Sequence, residues 1–242
     1  MNYNKIMEMK KSWILEAVIL AIGLVVLGFN IKAGIEEFVS NDRKVTVKGL
    51  SEMEVPANKV TWPIVSKLIG NDMQQLYRDI NRNNRVITDF LKKNGIGDNE
   101  IVVNPPVVID MSAERYGADN KAYRYNITSV ITVTSSKVDL VRKILARQGE
   151  LLKDGIAIVS GDYENPIRYE YTGLNDIKGK MMDQAITNAS ATAQQFATVS
   201  RSNLSRIESA SQGQFSIEDR DSNTPYIKKV RVVTTITYSL EN

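Results

Sequence analysis

Histidine and cysteine are both missing from this chain of 242 residues. Without cysteine there is no disulfide, no thiolate metal site and no cysteine nucleophile. The absence is compatible with an oxidising compartment. Without histidine the commonest general base, the commonest metal ligand and the usual pH switch are gone, and a Ser-His-Asp triad is impossible. The expectation is therefore a protein that is not an enzyme, with no catalytic, cofactor-binding or metal-binding residues to nominate. Charge of one sign is also scarce: 31 basic against 28 acidic side chains leave a net charge of +3. Lys5, Lys10 and Lys11 precede the first apolar run, so much of that small excess belongs to the N-terminus. It argues for membrane orientation, and no nucleic-acid partner is expected.

What the chain does have is one long apolar run, WILEAVILAIGLVVLGFNI over residues 13–31. As a helix it spans roughly 28 Å, close to the ~30 Å hydrocarbon core of a bilayer. Trp13 stands where an interfacial aromatic anchor is expected, and Glu16 lies one turn in, within reach of the interface. The cations are N-terminal to the run, which keeps the N-terminus inside and sends the rest across. Cleavage as a signal peptide needs small residues before the cut, and Ile31-Lys32-Ala33 offers a large Ile instead. The reading is a cytoplasmic stub (1–12), an uncleaved signal-anchor helix (13–31), a short polar stalk (32–43) and an extracytoplasmic domain (44–242). Ile35, Phe38 and Val39 are spaced to continue the helix into the stalk. The localisation expected is the inner, cytoplasmic membrane, single-pass, with the C-terminal domain in the periplasm or outside the cell.

From Lys44 onward strands and helices alternate. Val45–Gly49 and Lys59–Ile69 read as strands, the second with Pro63 near an edge or bulge. Asp72 with Gln75 forms a capping-box pattern, and Met73, Leu76, Tyr77, Ile80, Ile87 and Leu91 follow helical spacing up to Gly95. The strand Glu100–Met111 is interrupted by Pro105-Pro106, and 112–120 is a loop. Along Lys121–Ser135, positions Tyr123, Tyr125, Ile127, Ser129, Ile131 and Val133 share a face. Ser136 with Asp139 reads as a helix start, with Val138, Val141, Ile144, Leu145 and Leu152 leading to Gly155. A strand-like stretch, Ile156–Tyr171, surrounds Asn165-Pro166. A long helix, Gly173–Ser202, carries Leu174, Ile177, Met181, Ala185, Ala189, Ala193 and Phe196 on one stripe, its alanines permitting close approach to a sheet. Leu204–Ile217 and Tyr226–Leu240 close the chain as strands, with 218–225 as their loop. The class is α+β with mixed or antiparallel sheets and three main helices beyond the anchor. An internal echo, Leu91-Lys92-Lys93-Asn94-Gly95-Ile96 against Leu152-Lys153-Asp154-Gly155-Ile156, leaves two intertwined subdomains as an open option beside ordinary helix-ending chemistry.

Four blocks carry a resemblance over about Val45–Leu240: VTVKGLSEMEVPANKV, FLKKNGIGDNEIVV, YRYNITSVITVTSSKVDLVRKIL and MMDQAITNASATAQQFA. In their order and spacing they resemble the SIMPL-domain family, bacterial envelope proteins named after a mammalian kinase-interacting relative. Ala57-Asn58 departs from the family's frequent Pro-Asp, and Arg201-Ser202-Asn203-Leu204-Ser205 departs from its glycines after the long helix. The resemblance implies a membrane-associated envelope protein that forms a homo-oligomer. It also implies a loose link to stress tolerance and supplies no catalytic residues.

Weaker constellations have plainer explanations. Asp219-x-Asp221-x-Asn223 opens like a calcium loop, but Thr224 replaces the glycine and Val230 the closing glutamate, so a solvated hairpin loop is expected. Tyr123 with Tyr125, and Tyr169 with Tyr171, offer either a recognition surface or sheet packing with hydroxyls at the rim. Lys228, Lys229 and Arg231 read as solvated protection of a strand edge. The function expected is self-assembly of a membrane-held domain. The alternative is a binding module for an envelope ligand or a partner protein, using the tyrosine faces or the loops 112–120 and 218–225.

Overall fold

The computed structural model describes residues 3–40, 43–113, 122–159 and 163–241, with side chains in the opening helix placed at Trp13 and over 16–35. That helix, α1, runs Tyr3–Ser40. Within it Glu16–Ile35 has a mean hydropathy of 2.2 and is wholly unburied. The residues read as a polar stalk are thus helical as far as Ser40, continuing the spacing of Ile35, Phe38 and Val39; residues 41 and 42 lie outside the described residues. The chain divides into two compact units, each assembled from separate stretches. The first comprises 1–51, 180–214 and 232–242, and the second 52–179 and 215–231.

In the first unit the strands are the start of β1 (Lys44–Pro56), most of β10 (Ile227–Glu241) and β8 (Asn203–Gln212), in the order β1-β10-β8. β8 pairs antiparallel with β10, and Leu240 N–H donates to Arg43 C=O. Strict alternation buries Val45 and Val47 on β1 and Val232, Ile236, Tyr238 and Leu240 on β10. Against them lies α4 (Leu174–Val199), which buries Met181, Ala185, Ala189, Ala193 and Ala197. Those residues are four apart, so the stripe advances about 40° round the helix at each step. Phe196 is one position out of phase and 54% exposed, which corrects its placement on the buried stripe. The small stripe does bring the backbones together: a Cβ on Gly49 would lie 1.9 Å from the carbonyl oxygen of Ala185. Tyr238 and Ser190 hydroxyls meet at 2.7 Å, and Ser51 Oγ donates to Gln184 Oε1 at 3.0 Å. After α4 the family's glycine place is held by Arg201 at φ 55°, with Ser202 N–H donating to Ala197 C=O.

The second unit is built on a six-stranded sheet of order β3-β5-β2-β6, in which β4 also pairs with β5 and β7 with β2. Its elements are β2 (Lys59–Gly70), α2 (Met73–Lys93), β3 (Ile101–Val103), β4 (Val107–Asp110), β5 (Tyr125–Ser135), α3 (Val138–Ala146), β6 (Ile158–Val159) and β7 (Arg168–Glu170). Every registered pair in it is antiparallel, β2 and β5 matching from Val60↔Ser135 to Gly70↔Tyr125. The short β9 (Ser216–Asp219) pairs with the start of β10. Ile127, Ser129, Ile131 and Val133 are buried on one face, as their alternation predicts.

Helix ends explain the internal echo. Gly95 at φ 95° and Gly155 at φ 75° both take the left-handed conformation. In each case the next residue folds back: Ile96 N–H donates to Leu91 C=O, and Ile156 N–H to Leu151 C=O. Both isoleucines enter the same apolar cluster with Trp62, Ile64, Ile87 and Ile131. The shared motif is helix-ending chemistry feeding one core. Two expected starts differ. Asp72 caps α2 by accepting from Gln74 and Gln75 N–H, but Gln75 turns to Asp79 and Arg78 instead of back to the cap. At α3 it is Ser135 Oγ, not Ser136, that accepts from Lys137 N–H. A 3-10 helix, Gln148–Asp154, follows α3, and its tighter winding turns Leu151 inward and leaves Leu152 64% exposed.

Candidate functional site

Pro63 sets the geometry of one surface cleft. It stands opposite Thr132 in the middle of β2, not at an outer edge. On the other side of β2, β7 pairs with residues 59–61 and β6 with 65–66. The interruption falls at 62–64, where proline has no N–H to offer a neighbour. A cleft of about 700 Å³ opens there. Trp62 and Pro63 line its base, with Leu145, Gln148 and Ile158 around them. Segment 163–168 forms the rim, with Glu164 as its carboxylate and Arg168 as its guanidinium. A second groove of about 410 Å³ shares Pro63, Asn165, Pro166 and Arg168 and continues over Thr128, Val130 and Thr132. The lining is mixed, close to half polar, with Trp62, Pro63 and Leu145 beside Gln148, Asn165 and one charge of each sign.

The opposite edge of the same sheet is formed by β3 and β4. Pro105 and Pro106 break the strand, as expected, and Asn104 bridges the break. Its backbone N–H and its Nδ2 both donate to Val130 C=O at 3.0 Å, and Nδ2 also reaches Thr132 Oγ1. The end of β4 is fixed by Arg124, which makes a two-pronged bond to Asp110 at 2.8 and 3.1 Å and stacks over Tyr125. Those bonds, with Ser112, hold the Asp110 carboxyl well below the usual carboxylate range. On either side of Asn104 the edge is apolar and, among the described residues, unpaired: Val102, Val103, Val107, Val108 and Ile109 are 40–63% exposed.

The tyrosine pairs do not form common faces. Tyr169 meets Tyr226 edge-on at 6.2 Å, and Arg142 lies 3.4 Å over the Tyr226 ring. Burial pushes the Tyr169 phenol up. Tyr171 bonds the Gly173 carbonyl, and Tyr123 lies outside β5 and is half-exposed. Of the loop 112–120, residues 114–120 lie outside the described residues.

In the loop 218–225 the acidic residues diverge. Asp221 accepts from Asn223 N–H, Thr224 N–H and Arg220. The Thr224 hydroxyl, with Arg220 and the loop amides, pushes its carboxyl down to about 2. Asp219 turns to Lys228. The basic cluster is likewise divided: Lys228 is buried in phase with Val230, while Lys229 and Arg231 pair with Glu52. Lys228 therefore departs from the solvated edge expected of it. Glu100 is a junction that sequence reading missed. Its carboxylate accepts from Ser135 Oγ at 2.6 Å, Gly97 N–H at 2.7 Å and Lys137 Nζ at 2.9 Å.

Across this architecture, residues 45–238 match the family profile described as SIMPL, a protein of unknown function (DUF541). The chain belongs to the SIMPL family. The match runs from the second residue of β1 to the buried Tyr238 of β10, so the SIMPL domain takes in strands and helices of both units. No curated protein matches the chain. Outside the SIMPL domain lies α1, whose apolar stretch is long enough to cross a membrane.

Proposed function

We propose that this chain is a membrane-anchored, non-enzymatic SIMPL-domain protein whose outer part assembles with copies of itself. The open edge β3–β4 carries the reading. Five Val and Ile side chains stand half-exposed on a strand edge held rigid at Asn104 and at Asp110–Arg124. Such an edge invites pairing with another strand, and the broken middle limits how it pairs. A second copy is the occupant, because α1 confines every copy to one membrane in one orientation and raises their effective concentration. The cations before the apolar stretch of α1 favour an N-terminus inside and a SIMPL domain on the far side of the inner membrane. The absence of histidine and cysteine supports a non-enzymatic role.

Sedimentation of the full chain in detergent, and of residues 44–242 alone, tests the assembly. Oligomers that Val102→Lys with Val107→Lys dissociates are expected. Monomers in both preparations at micromolar concentration overturn it.

The cleft over Trp62 favours a second reading, a binding module for an envelope ligand or a partner's side chain. Residues 44–242 contain one tryptophan, Trp62, so its emission reports occupancy directly. A saturable change on adding an apolar peptide supports that reading, and an unchanged spectrum with every probe counts against it.

A further inference from the structure

The apolar core of the second unit is interrupted by a polar layer. Towards one end of α2, Ile87 and Leu91 belong to a cluster with Ile64 and Ile131. Towards the other, Leu76 and Ile80 join Ile127, with Leu68 and Tyr125 against them. Between the clusters each element carries polar residues. Ser66 follows Ile64 by two on β2, Ser129 precedes Ile131 by two on β5, and Asn83 and Asn84 separate Ile80 from Ile87 on α2. Ser66 and Ser129 are register partners. Because the flanking isoleucines and Leu68 sort into the two clusters, the serines and asparagines fall in one layer under the helix.

All four residues are at least nine-tenths buried, from 1% exposed at Ser66 and Ser129 to 6% at Asn84. Ser66 Oγ, Ser129 Oγ, Asn83 Oδ1 and Asn84 Oδ1 have no hydrogen-bond partner. Each such atom, left bare, is strongly destabilising, and several together would claim a large part of a domain's marginal stability. The chemistry of the missing partner follows from the atoms. An amide oxygen only accepts, so the partner donates at least twice; a hydroxyl does either, so the partner also has room to accept. A carboxylate or phosphate is the wrong sign of partner, and the four residues supply no counter-charge for a cation. Asn84 also lines a groove of about 600 Å³ along α2, with Asn81, Arg85, Thr88, Asp89, Lys92 and Val103.

We propose that the layer formed by Ser66, Asn83, Asn84 and Ser129 is an internal hydration site, holding ordered water between α2 and the sheet. Water donates twice and accepts twice, and buried waters commonly satisfy polar atoms of this kind. α2 is then seated in two apolar sockets with a wet seam between them. The half held by the smaller cluster of three buried residues, Leu76, Ile80 and Ile127, opens first.

A crystal structure of the full chain grown from rubidium chloride, at a resolution that shows ordered water, decides the matter. Expected is non-anomalous density within about 2.7–3.2 Å of Asn83 Oδ1 and at least one of the two serine hydroxyls. An anomalous rubidium peak in the layer would make it a cation site and overturn the proposal. A dry layer in which the serines donate directly to the asparagine oxygens would overturn it equally.

Discussion

Gly49 on β1 is pressed against Ala185 on α4 so closely that a methyl group on its α-carbon would come within 1.9 Å of the Ala185 carbonyl oxygen and 2.6 Å of the Ala189 nitrogen. Both obstacles are backbone atoms, so neither yields without moving the helix. Gly49→Ala is expected to destabilise the SIMPL domain by about 2–3 kcal/mol, the upper range for overpacking. Gly179→Ala, on the same helix but with nothing within 4 Å of the added carbon, is expected to stabilise by about 0.5–1 kcal/mol. Urea melts of both variants check the pair, and equal effects would show that the close approach is unimportant.

Phe196 makes the complementary test. Being 54% exposed beside a buried alanine line, Phe196→Ala should lose less than about 1 kcal/mol, against the ~3–5 kcal/mol typical of a buried phenylalanine. Ala193→Leu should lose more than Phe196→Ala, since Ala193 is fully buried. The reverse order in denaturant melts would mean that the stripe is wrongly phased.

Arg201 holds a left-handed conformation at φ 55° where a glycine is easy. Arg201→Gly is expected to stabilise by about 0.5–1 kcal/mol, the relief of left-handed strain less the entropy that glycine loses. A thermal midpoint that falls instead would mean that the arginine side chain makes an offsetting contact.

Glu100 gives the SIMPL domain an acid-sensitive joint. The Ser135 hydroxyl, the Gly97 N–H and Lys137 push its carboxyl down to about 2, against an ordinary glutamate value near 4.3. A depressed carboxyl stabilises fully above its ordinary pKa, and the contribution fades as pH falls from about 5 to about 2. With a side chain only 12% exposed, the loss should be about 2 kcal/mol by linkage. Glu100→Gln should be less stable at pH 6 and should flatten this part of the pH dependence. Urea midpoints measured from pH 6 to pH 2.5 on both proteins decide it.

The anchor reading predicts that Leu20→Arg with Val25→Arg releases or mislocalises the protein. Both residues lie within the apolar stretch, where each central arginine costs about 2.5–3.5 kcal/mol on insertion scales. Membrane fractionation that retains the double variant at the wild-type level would sink the reading.

Strand faces were legible because period two leaves little freedom: Val230, Val232, Ile236, Tyr238 and Leu240 are all buried as their alternation demands. The same alternation places Lys228 on the buried face, a signal overruled by the habit of putting lysine in water. Helix phase was less legible. A stripe of alanines marks its own direction weakly, and the bulk of Phe196 pulled the expected face one residue off. The burial of Asn83 and Asn84 was not legible, because nothing local says that Ser66 and Ser129 lie opposite. The cleft was the least visible feature. Pro63 flagged an irregularity, but the interruption sits in the neighbouring strands, about 100 residues away along the chain.

The threading of the first unit has a consequence in time. Strand β1 leaves the ribosome early, yet its covering helix α4 and its pairing strand β10 come only after the first and longer stretch of the second unit has been made. At about 5–20 residues per second, the roughly 180 residues between Ser51 and Val232 take on the order of 10–40 s. For most of that interval Val45 and Val47 have neither partner nor cover, and until β10 is made they have no partner strand. Maturation of this protein should therefore depend on how quickly its tail is delivered, and a chain truncated before Ile227 should be a substrate for chaperones and proteases however well its middle has folded.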